Sequence, residues 1–410
     1  MNLKLYKIRQ RFQDDVVADA GILLGAKLSE LQDLSFKDKQ IAIAVGSRGI
    51  DQLDKIVKTL VDYLHERGAK PFIFPAMGSH GGATAEGQAE LLAGYGVTEE
   101  AMGCPVRSSM EVVELDAGDL KNKVFMDRFA YESDGIILLN RVKPHTDFHG
   151  DYESGLCKML VLGVGKHRQA LEMHKYGVYG LKALMPQTAE HILKTGKVVA
   201  GLALVEDPND RIIFVEVIKG QNIMKMEKDL LVKAREFMPR LPVKDIDVLI
   251  VDELGKNISG TGMDTNIIGR MKIHGEPEPD YPDIKQIVID GITDESHGNA
   301  LGIGLADVAT RNIVDKIDYQ VMYENVFTST FLERAKVPVT VDNMQEALKF
   351  ALRACGPRDE GSERVIRIKN TLKIKELYVS DAILQELGET VDVLNEEVDL
   401  LDEAGNIKSW

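Results

Sequence analysis

The sequence predicts an α/β fold made of two α/β domains with an active-site cleft between them. In the first half of the chain, short apolar runs typical of buried strands alternate with segments of helical periodicity. The same alternation starts again after residue 244, and Pro239 and Pro242 interrupt both periodicities just before it. We therefore expect an N-terminal domain at 1–243, a C-terminal α/β domain at 244–375, and a tail at 376–410 that returns to the N-terminal domain.

The individual elements follow from the same two periodicities. An apolar stripe from Ile50 to Leu64 recurs at helical spacing, and Thr84 is a good N-cap residue after the glycine-rich loop AMGSHGGAT. The turn sequence DPND at 207–210, between two alternating segments, predicts a hairpin. Strands are predicted at 41–45, 71–74, 108–115, 134–139, 197–205, 211–218, 248–254, 286–292, 364–368 and 376–380, and helices at 50–64, from 84, and at 155–176, 226–237, 303–317 and 344–354.

The composition argues against several classes of protein. The 410 residues carry a net charge of −15, which argues against a nucleic-acid partner because a phosphate backbone needs a basic surface. The three cysteines, Cys104, Cys157 and Cys355, form no CxxC pair, so we expect neither a disulfide framework nor a cysteine zinc site. No apolar run approaches the roughly 18 residues that cross a bilayer, and no signal peptide is recognised at the N-terminus. We expect a cytoplasmic protein with a small-molecule ligand and no membrane partner, and the sequence leaves the oligomeric state open.

Chemically versatile side chains follow three of the predicted strands. Arg48 follows the first strand, His80 the second, and Lys143, His145 and His149 come after the fourth. Ligands of open α/β sheets bind at the carboxyl ends of the strands, so we expect these residues to lie near one another. Histidine transfers protons in both directions near neutral pH. A lone histidine is more often structural, but the glycines around His80 suit a loop that approaches a ligand.

Lys158 and His174 lie on the segment that follows these loops. The apolar surroundings of Lys158, SGLCKMLVLG, fit either a nucleophilic lysine or a lysine whose stem snorkels out of a helix. The glycine-rich loops GSHGGATAEG and SGTGMDTN fit either phosphate binding on backbone N–H groups or ordinary turns. No HExxH motif is present, so a metal site built from protein ligands alone is a weak interpretation.

Taken together, these residues resemble the nickel-pincer-nucleotide-dependent lactate racemase family of 2-hydroxyacid racemases and epimerases. The resemblance runs over most of the chain and is densest in residues 40–180. The combination of its pieces is far more specific than any one of them. The pieces are the strand and loop with Arg48, GSHGGAT with His80, KPHTDFHG with His145, GLCKM with Lys158, and EMHKYG with His174.

The resemblance implies a role for each of these residues and makes the N-terminal domain the cofactor-binding and catalytic one. The lysine matching Lys158 tethers the nickel-pincer nucleotide (pyridinium-3-thioamide-5-thiocarboxylic acid mononucleotide with nickel) through a thioamide, and the histidine matching His174 ligates the nickel. The histidines matching His80 and His145 act as general acid–base groups on two faces of the substrate. Further cofactor contacts are expected from Ser47, Arg48, Gly81 and Gly82, and substrate contacts from Arg48 and Lys272, the arginine holding either a carboxylate or a phosphate.

The implied activity is that of an isomerase that racemises or epimerises a 2-hydroxy acid. The C2 hydride passes to the cofactor and returns on either face, while the two histidines serve the hydroxyl proton. A metal-dependent lyase or hydride-shuttling enzyme on the same scaffold is the first alternative. A non-catalytic protein that binds a nucleotide or an anion is the second. The sequence does not name the hydroxy acid, and the resemblance gives no role to His149.

Overall fold

The chain forms two compact units. The computed structural model describes residues 4–12, 19–46, 49–359, 361–395 and 397–410, with the side chain of residue 328 left aside. The N-terminal unit comprises Gln13–Met238, and the C-terminal unit comprises Met1–Phe12 and Pro239–Trp410. Both units contain sheets and helices, which confirms the predicted two-domain α/β fold.

The elements of the described residues are numbered in chain order. The strands are β1 (Lys4–Gln10), β2 (Gln40–Val45), β3 (Lys70–Pro75), β4 (Val112–Leu115), β5 (Val124–Asp127), β6 (Gly135–Arg141), β7 (Val198–Glu206), β8 (Ile212–Lys219), β9 (Asp245–Leu254), β10 (Asp283–Ile292), β11 (Val308–Thr310), β12 (Val339–Val341), β13 (Val365–Ile368), β14 (Glu376–Val379), β15 (Val391–Val393) and β16 (Val398–Asp399). The helices are α1 (Ala20–Lys27), α2 (Leu53–Glu66), α3 (Ala85–Gly94), α4 (Glu99–Met102), α5 (Arg128–Glu132), α6 (Leu156–Lys158), α7 (Lys166–His174), α8 (Gly177–Tyr179), α9 (Met185–Leu193), α10 (Ile223–Glu236), α11 (Thr265–Ile268), α12 (Arg311–Val314), α13 (Tyr319–Ser329), α14 (Met344–Ala354) and α15 (Asp381–Leu387).

A five-stranded sheet organises the N-terminal unit, in the order β3-β2-β6-β7-β8. The first four of these strands are parallel, and β8 returns antiparallel to β7 as the predicted hairpin. Both faces are apolar: Ala42 and Ala44 pack into one core, and Ile41 and Ile43 into another on the opposite face. Because side chains alternate along a strand, this sheet lies buried between two layers. The carboxyl ends of β2, β3 and β6 therefore meet at one edge, which is where their exit loops begin.

The C-terminal unit has a larger mixed sheet, in the order β12-β11-β10-β9-β13-β14-β1-β15, with β16 also paired to β1. The strands β9 to β13 run parallel, whereas β14, β1 and β15 pair antiparallel. The apolar face of α14 packs on this sheet. Among the helices of the described ranges, none is both long and apolar enough to span a bilayer.

Two parts of the predicted division into domains are wrong. The first strand, which was placed in the N-terminal domain, belongs to the C-terminal unit. The tail at 376–410 does not return to the N-terminal domain, because β14, β15 and β16 all pair with β1 inside the C-terminal unit.

Two predicted helices are also wrong in part. The segment 155–176 forms α6, a π-helical turn at Met159–Gly163 and then α7, since Lys166 adopts a positive φ of 57° at the break. The segment 303–317 holds the buried strand β11 before the short helix α12, because Val308 and Ala309 pair with β10. Both segments are apolar, and apolarity alone does not separate a buried strand or a broken helix from a continuous one.

Candidate active site

A pocket lies at the carboxyl edge of the N-terminal sheet. It is lined by residues that follow β2, β3 and β6 and by residues of the segment 158–174, and it brings together His80, Lys143, Lys158 and His174. Of its lining residues in the described part of the chain, none is Asp or Glu, whereas Arg141, Lys143 and Lys158 are basic. An acidic protein thus presents a basic pocket, which is what an anionic ligand requires.

The loop after β3 presents His80, which is exposed. The buried side chain of Gln88 on α3 donates from Nε2 to the carbonyl oxygens of Gly78 (3.0 Å) and His80 (3.1 Å). Gly81 has a φ of +62°, and a Cβ there would lie 2.7 Å from the backbone nitrogen of Gln88. Close packing against α3 explains this glycine, and a cofactor-binding role for Gly81 and Gly82 stays a prediction.

A fully buried lysine supports the same loop from behind. Nζ of Lys166 donates to the carbonyl oxygen of Pro75 (2.5 Å) and to Oε1 of Gln88 (3.2 Å), and it lies 3.3 Å from Oδ2 of Asp127. Burial lowers the pKa of Lys166 and raises that of Asp127, and their mutual attraction opposes both shifts. The network ties the end of β3 to α3, so it fixes where the loop with His80 starts.

A buried carboxylate organises the loop after β6. Glu153 accepts from the backbone N–H groups of His145 (2.6 Å) and Gly150 (3.1 Å), from Nη2 of Arg235 (2.5 Å), and lies 3.2 Å from Nδ1 of His149. Burial alone raises the pKa of Glu153, but the hydrogen bonds from His149, His145 and Arg235 outweigh it and lower the pKa overall. His149 therefore has a structural partner within the loop that carries His145.

His145 contacts Lys158. Nε2 of His145 lies 2.5 Å from Nζ of Lys158, and Nδ1 of His145 accepts the backbone N–H of Asp147 at 3.0 Å. The imidazole also stacks on Phe148, with ring centroids 4.5 Å apart. These contacts place His145 beside the pocket that Lys158 lines.

Glu227 on α10 caps the short helix that carries Lys158. Its Oε2 accepts the backbone N–H of Cys157 at 2.8 Å, and Oε1 is buried without a hydrogen-bond partner among the described residues. Gly155 allows this approach, since a Cβ there would lie 2.2 Å from Oε1. Burial raises the pKa of Glu227 to about 7, although the N–H groups of Cys157 and Leu156 oppose the shift.

Replacing Glu227 by glutamine should change how stability depends on pH. The folded state holds the Glu227 proton more tightly than the unfolded chain, so stability falls as pH rises from about 4.5 to about 7, by on the order of 3 kcal/mol. Glu227→Gln keeps an acceptor for Cys157 and cannot ionise. We expect similar unfolding free energies near pH 5 and a more stable variant near pH 8, measured by urea unfolding. An identical pH dependence in both proteins would contradict this assignment.

His174 is the last residue of α7 and lines the pocket. None of the lining residues in the described part of the chain is acidic. Burial lowers the pKa of His174, and the carboxylate of Asp147 opposes the shift. The ring is therefore neutral at pH 7, with a nitrogen lone pair available. In the described ranges no three His, Cys, Asp or Glu side chains come together as a metal site.

Comparison with known proteins shows what part of the chain is similar to. A family model described as the lactate racemase N-terminal domain matches residues 23–183. The resemblance to the lactate racemase family is confirmed. The lactate racemase apoprotein from Thermoanaerobacterium thermosaccharolyticum has a similar fold, with a TM-score of 0.52 over 90% of this chain and 99% of that chain, at 13% identity. A protein from Thermotoga maritima matches 68% of this chain and 72% of its own at 16% identity and a TM-score of 0.47. No curated protein matched the sequence.

Three further residues were predicted from the lactate racemase family. Ser47 and Arg48 lie outside the described residues. Lys272 belongs to the C-terminal unit, where its Nζ donates to the carbonyl oxygen of Gly304 at 2.9 Å. Its role in substrate binding, and the cleft between the domains, stay predictions.

Sequence reasoning missed the residues that support the site. Arg141, at the end of β6, lines the pocket and forms an ion pair with the buried Glu206 at the end of β7. Arg141 lies at the same strand end that Lys143 follows, so its position could have identified it as a candidate site residue. Glu153, Glu227 and Lys166 carried no such signal, because nothing in their local sequence shows that they are buried.

Proposed function

We propose that the chain is a racemase or epimerase of a 2-hydroxy acid, of the lactate racemase type. The observation that carries this proposal is the meeting of His80, Lys158 and His174 at one basic pocket, with His145 against Lys158. These are four of the residues that the family resemblance singles out, and they come from three separate segments of the chain. The fold similarity to a lactate racemase apoprotein supports the same conclusion.

The residues present fit the nickel-pincer nucleotide. One amine and one imidazole line the same pocket, which suits a cofactor that supplies its own soft donors and needs one lysine for attachment and one histidine for the metal. Lys158 would tether the cofactor and His174 would bind the nickel. Arg141 and Lys143 supply positive charge for the phosphate of the nucleotide or the carboxylate of the substrate.

The protein side chains account for the proton transfers. When bound, the cofactor supplies a hydride acceptor for C2 of the substrate. His80 and His145 stand on different loops, so each is able to take the hydroxyl proton of one enantiomer and to return it to the other. The absence of acidic groups from the described lining keeps the substrate carboxylate free of like-charge repulsion. We propose that this reaction takes place in the cytoplasm on a small soluble hydroxy acid.

The first test is the adduct on Lys158. Protein produced in a host that makes the cofactor is expected to carry a mass adduct on Lys158 and bound nickel, and to racemise a member of a panel of aliphatic, aromatic, dicarboxylic and sugar 2-hydroxy acids. Lys158→Ala should fold, lose the adduct and lose activity, whereas the exposed Lys194→Ala should keep both.

The alternatives give different outcomes in the same experiment. Loaded protein that eliminates water from the substrate instead of inverting C2 would favour a lyase. Unmodified Lys158 from a host that loads a known lactate racemase would contradict the tether.

A further inference from the structure

Two basic side chains contact each other in the candidate active site. At 2.5 Å, Nε2 of His145 and Nζ of Lys158 have one hydrogen atom between them. An imidazolium and an ammonium group repel each other strongly at such a distance, since like charges raise the cost of the second ionisation. The pair therefore carries at most one positive charge.

The other ring nitrogen decides where the shared hydrogen belongs. Nδ1 of His145 accepts the backbone N–H of Asp147 at 3.0 Å, so Nδ1 carries no hydrogen. A neutral imidazole then has its hydrogen on Nε2, pointing at Nζ of Lys158. Nζ accepts this hydrogen through a lone pair, which an ammonium group does not have. We propose that His145 holds Lys158 as a neutral amine, ready to act as a nucleophile.

Charged groups of both signs lie around the pair. Arg141 and Lys143 line the pocket with Lys158, and two acidic groups lie near His145: the Asp147 carboxylate, whose Oδ2 lies 3.8 Å from Nδ1, and Glu153, which accepts the backbone N–H of His145. Behind α6, the buried carboxyl of Glu227 is bonded to the backbone of Cys157. The contact with His145, and not the net charge of the surroundings, therefore decides the state of Lys158. His80 and His174 also line the pocket, and Arg141 is paired to Glu206.

A neutral lysine is prepared for acylation. When the hydrogen bond from Nε2 of His145 opens, the lone pair of Nζ forms a bond to an acyl or thioacyl carbon, the leaving group departs with the electrons of its own bond, and the proton released from Nζ passes to solvent. The backbone N–H of Cys157 and the carbonyl of Gly155 are both held by side chains, so the lysine is also fixed in direction. This inference deepens the proposed function, because it explains how Lys158 would accept a carboxyl-derived cofactor at neutral pH.

The test uses the apoprotein and does not depend on activity. Trace acetic anhydride is applied from about pH 5 to about pH 11, and acetylation of each lysine is followed by peptide mass spectrometry. Nζ–C bond formation breaks an acyl C–O bond and releases acetate. The labelling midpoint of Lys158 is expected at least about two pH units below that of the exposed Lys194. A midpoint equal to that of Lys194 would overturn the proposal.

Paired variants on one loop isolate the role of His145. His145→Phe retains stacking on Phe148 and removes the hydrogen donor. The labelling midpoint of Lys158 should therefore rise by about one pH unit, which makes its labelling near pH 7 about tenfold slower. His149→Phe is the matched control, because His149 pairs with Glu153, and it should leave the midpoint in place. An unmoved midpoint in His145→Phe contradicts the proposal.

A measurement on the unmodified protein covers the case in which His145→Phe does not fold. Nitrogen NMR of His145 should show the tautomer with hydrogen on Nε2, and the Nδ1–H tautomer would overturn the proposal. If the labelling midpoint of Lys158 is lowered but the protein racemises none of the hydroxy acids, this inference stands and the proposed function is rejected.

Discussion

Lys166→Met is expected to lower the free energy of unfolding by about 3–5 kcal/mol, the cost of leaving one member of a buried ion pair without its partner. Lys166 and Asp127 are both fully buried, 3.3 Å apart. Methionine fills the space of the lysine stem but leaves the carboxylate of Asp127 without its ion-pair partner and the carbonyl of Pro75 without the Lys166 donor. Urea unfolding near pH 7 measures the change, with the exposed Lys194→Met as the control.

A second variant separates the charge from the packing. Lys166→Met combined with Asp127→Leu removes both charges, and replacing a buried pair by apolar groups is often neutral. We expect this double variant to recover most of the lost stability. A single variant within about 1 kcal/mol of the parent protein would show that the pair does not hold the end of β3.

His80→Ala is expected to lower racemisation by about 10²–10⁴-fold, the usual contribution of a general acid–base group. His80 stands on the exposed loop after β3, whereas the side chain that contacts Nζ of Lys158 at 2.5 Å is His145, so we expect the adduct on Lys158 to remain. Kinetics with each enantiomer, together with intact mass, measure both effects on the same preparation.

Controls for this prediction come from the same chain. His65→Ala changes an exposed histidine in the last turn of α2 and should leave the rates as they are. Undiminished racemisation in a loaded His80→Ala protein would remove His80 from the mechanism. Loss of the adduct in that variant would instead assign it to cofactor binding.

The sequence predicts those parts of the site that depend on short stretches of sequence, such as strand ends and motifs. Strand periodicity located the ends of β2, β3 and β6, and parallel strands carry their exit loops to one edge. His80, His145 and Lys158 were found because they follow those ends or lie in a distinctive motif. The N-cap at Thr84 was predicted for the same reason and is present, since its side chain accepts the backbone N–H of Gly87.

The supporting residues depend on contacts between distant segments. Glu227 reaches the backbone of Cys157 from 70 residues away, and Lys166 reaches Gln88 from 78 residues away. In the sequence, each looks like a charged residue on a solvated helix face. Only the packing of α10 and α7 against the loops shows that they are buried.

The position of β1 also has a consequence for the order in which the two units fold. β1 ends at Gln10, and β14, its partner, begins at Glu376. At roughly 5–20 residues per second, a ribosome adds the intervening chain in about 20–70 s. The N-terminal unit has all its strands long before then, so it can fold during synthesis. β1 is made before the strands of the N-terminal unit and β14 after them, so β1 has to wait for β14 before the two can pair.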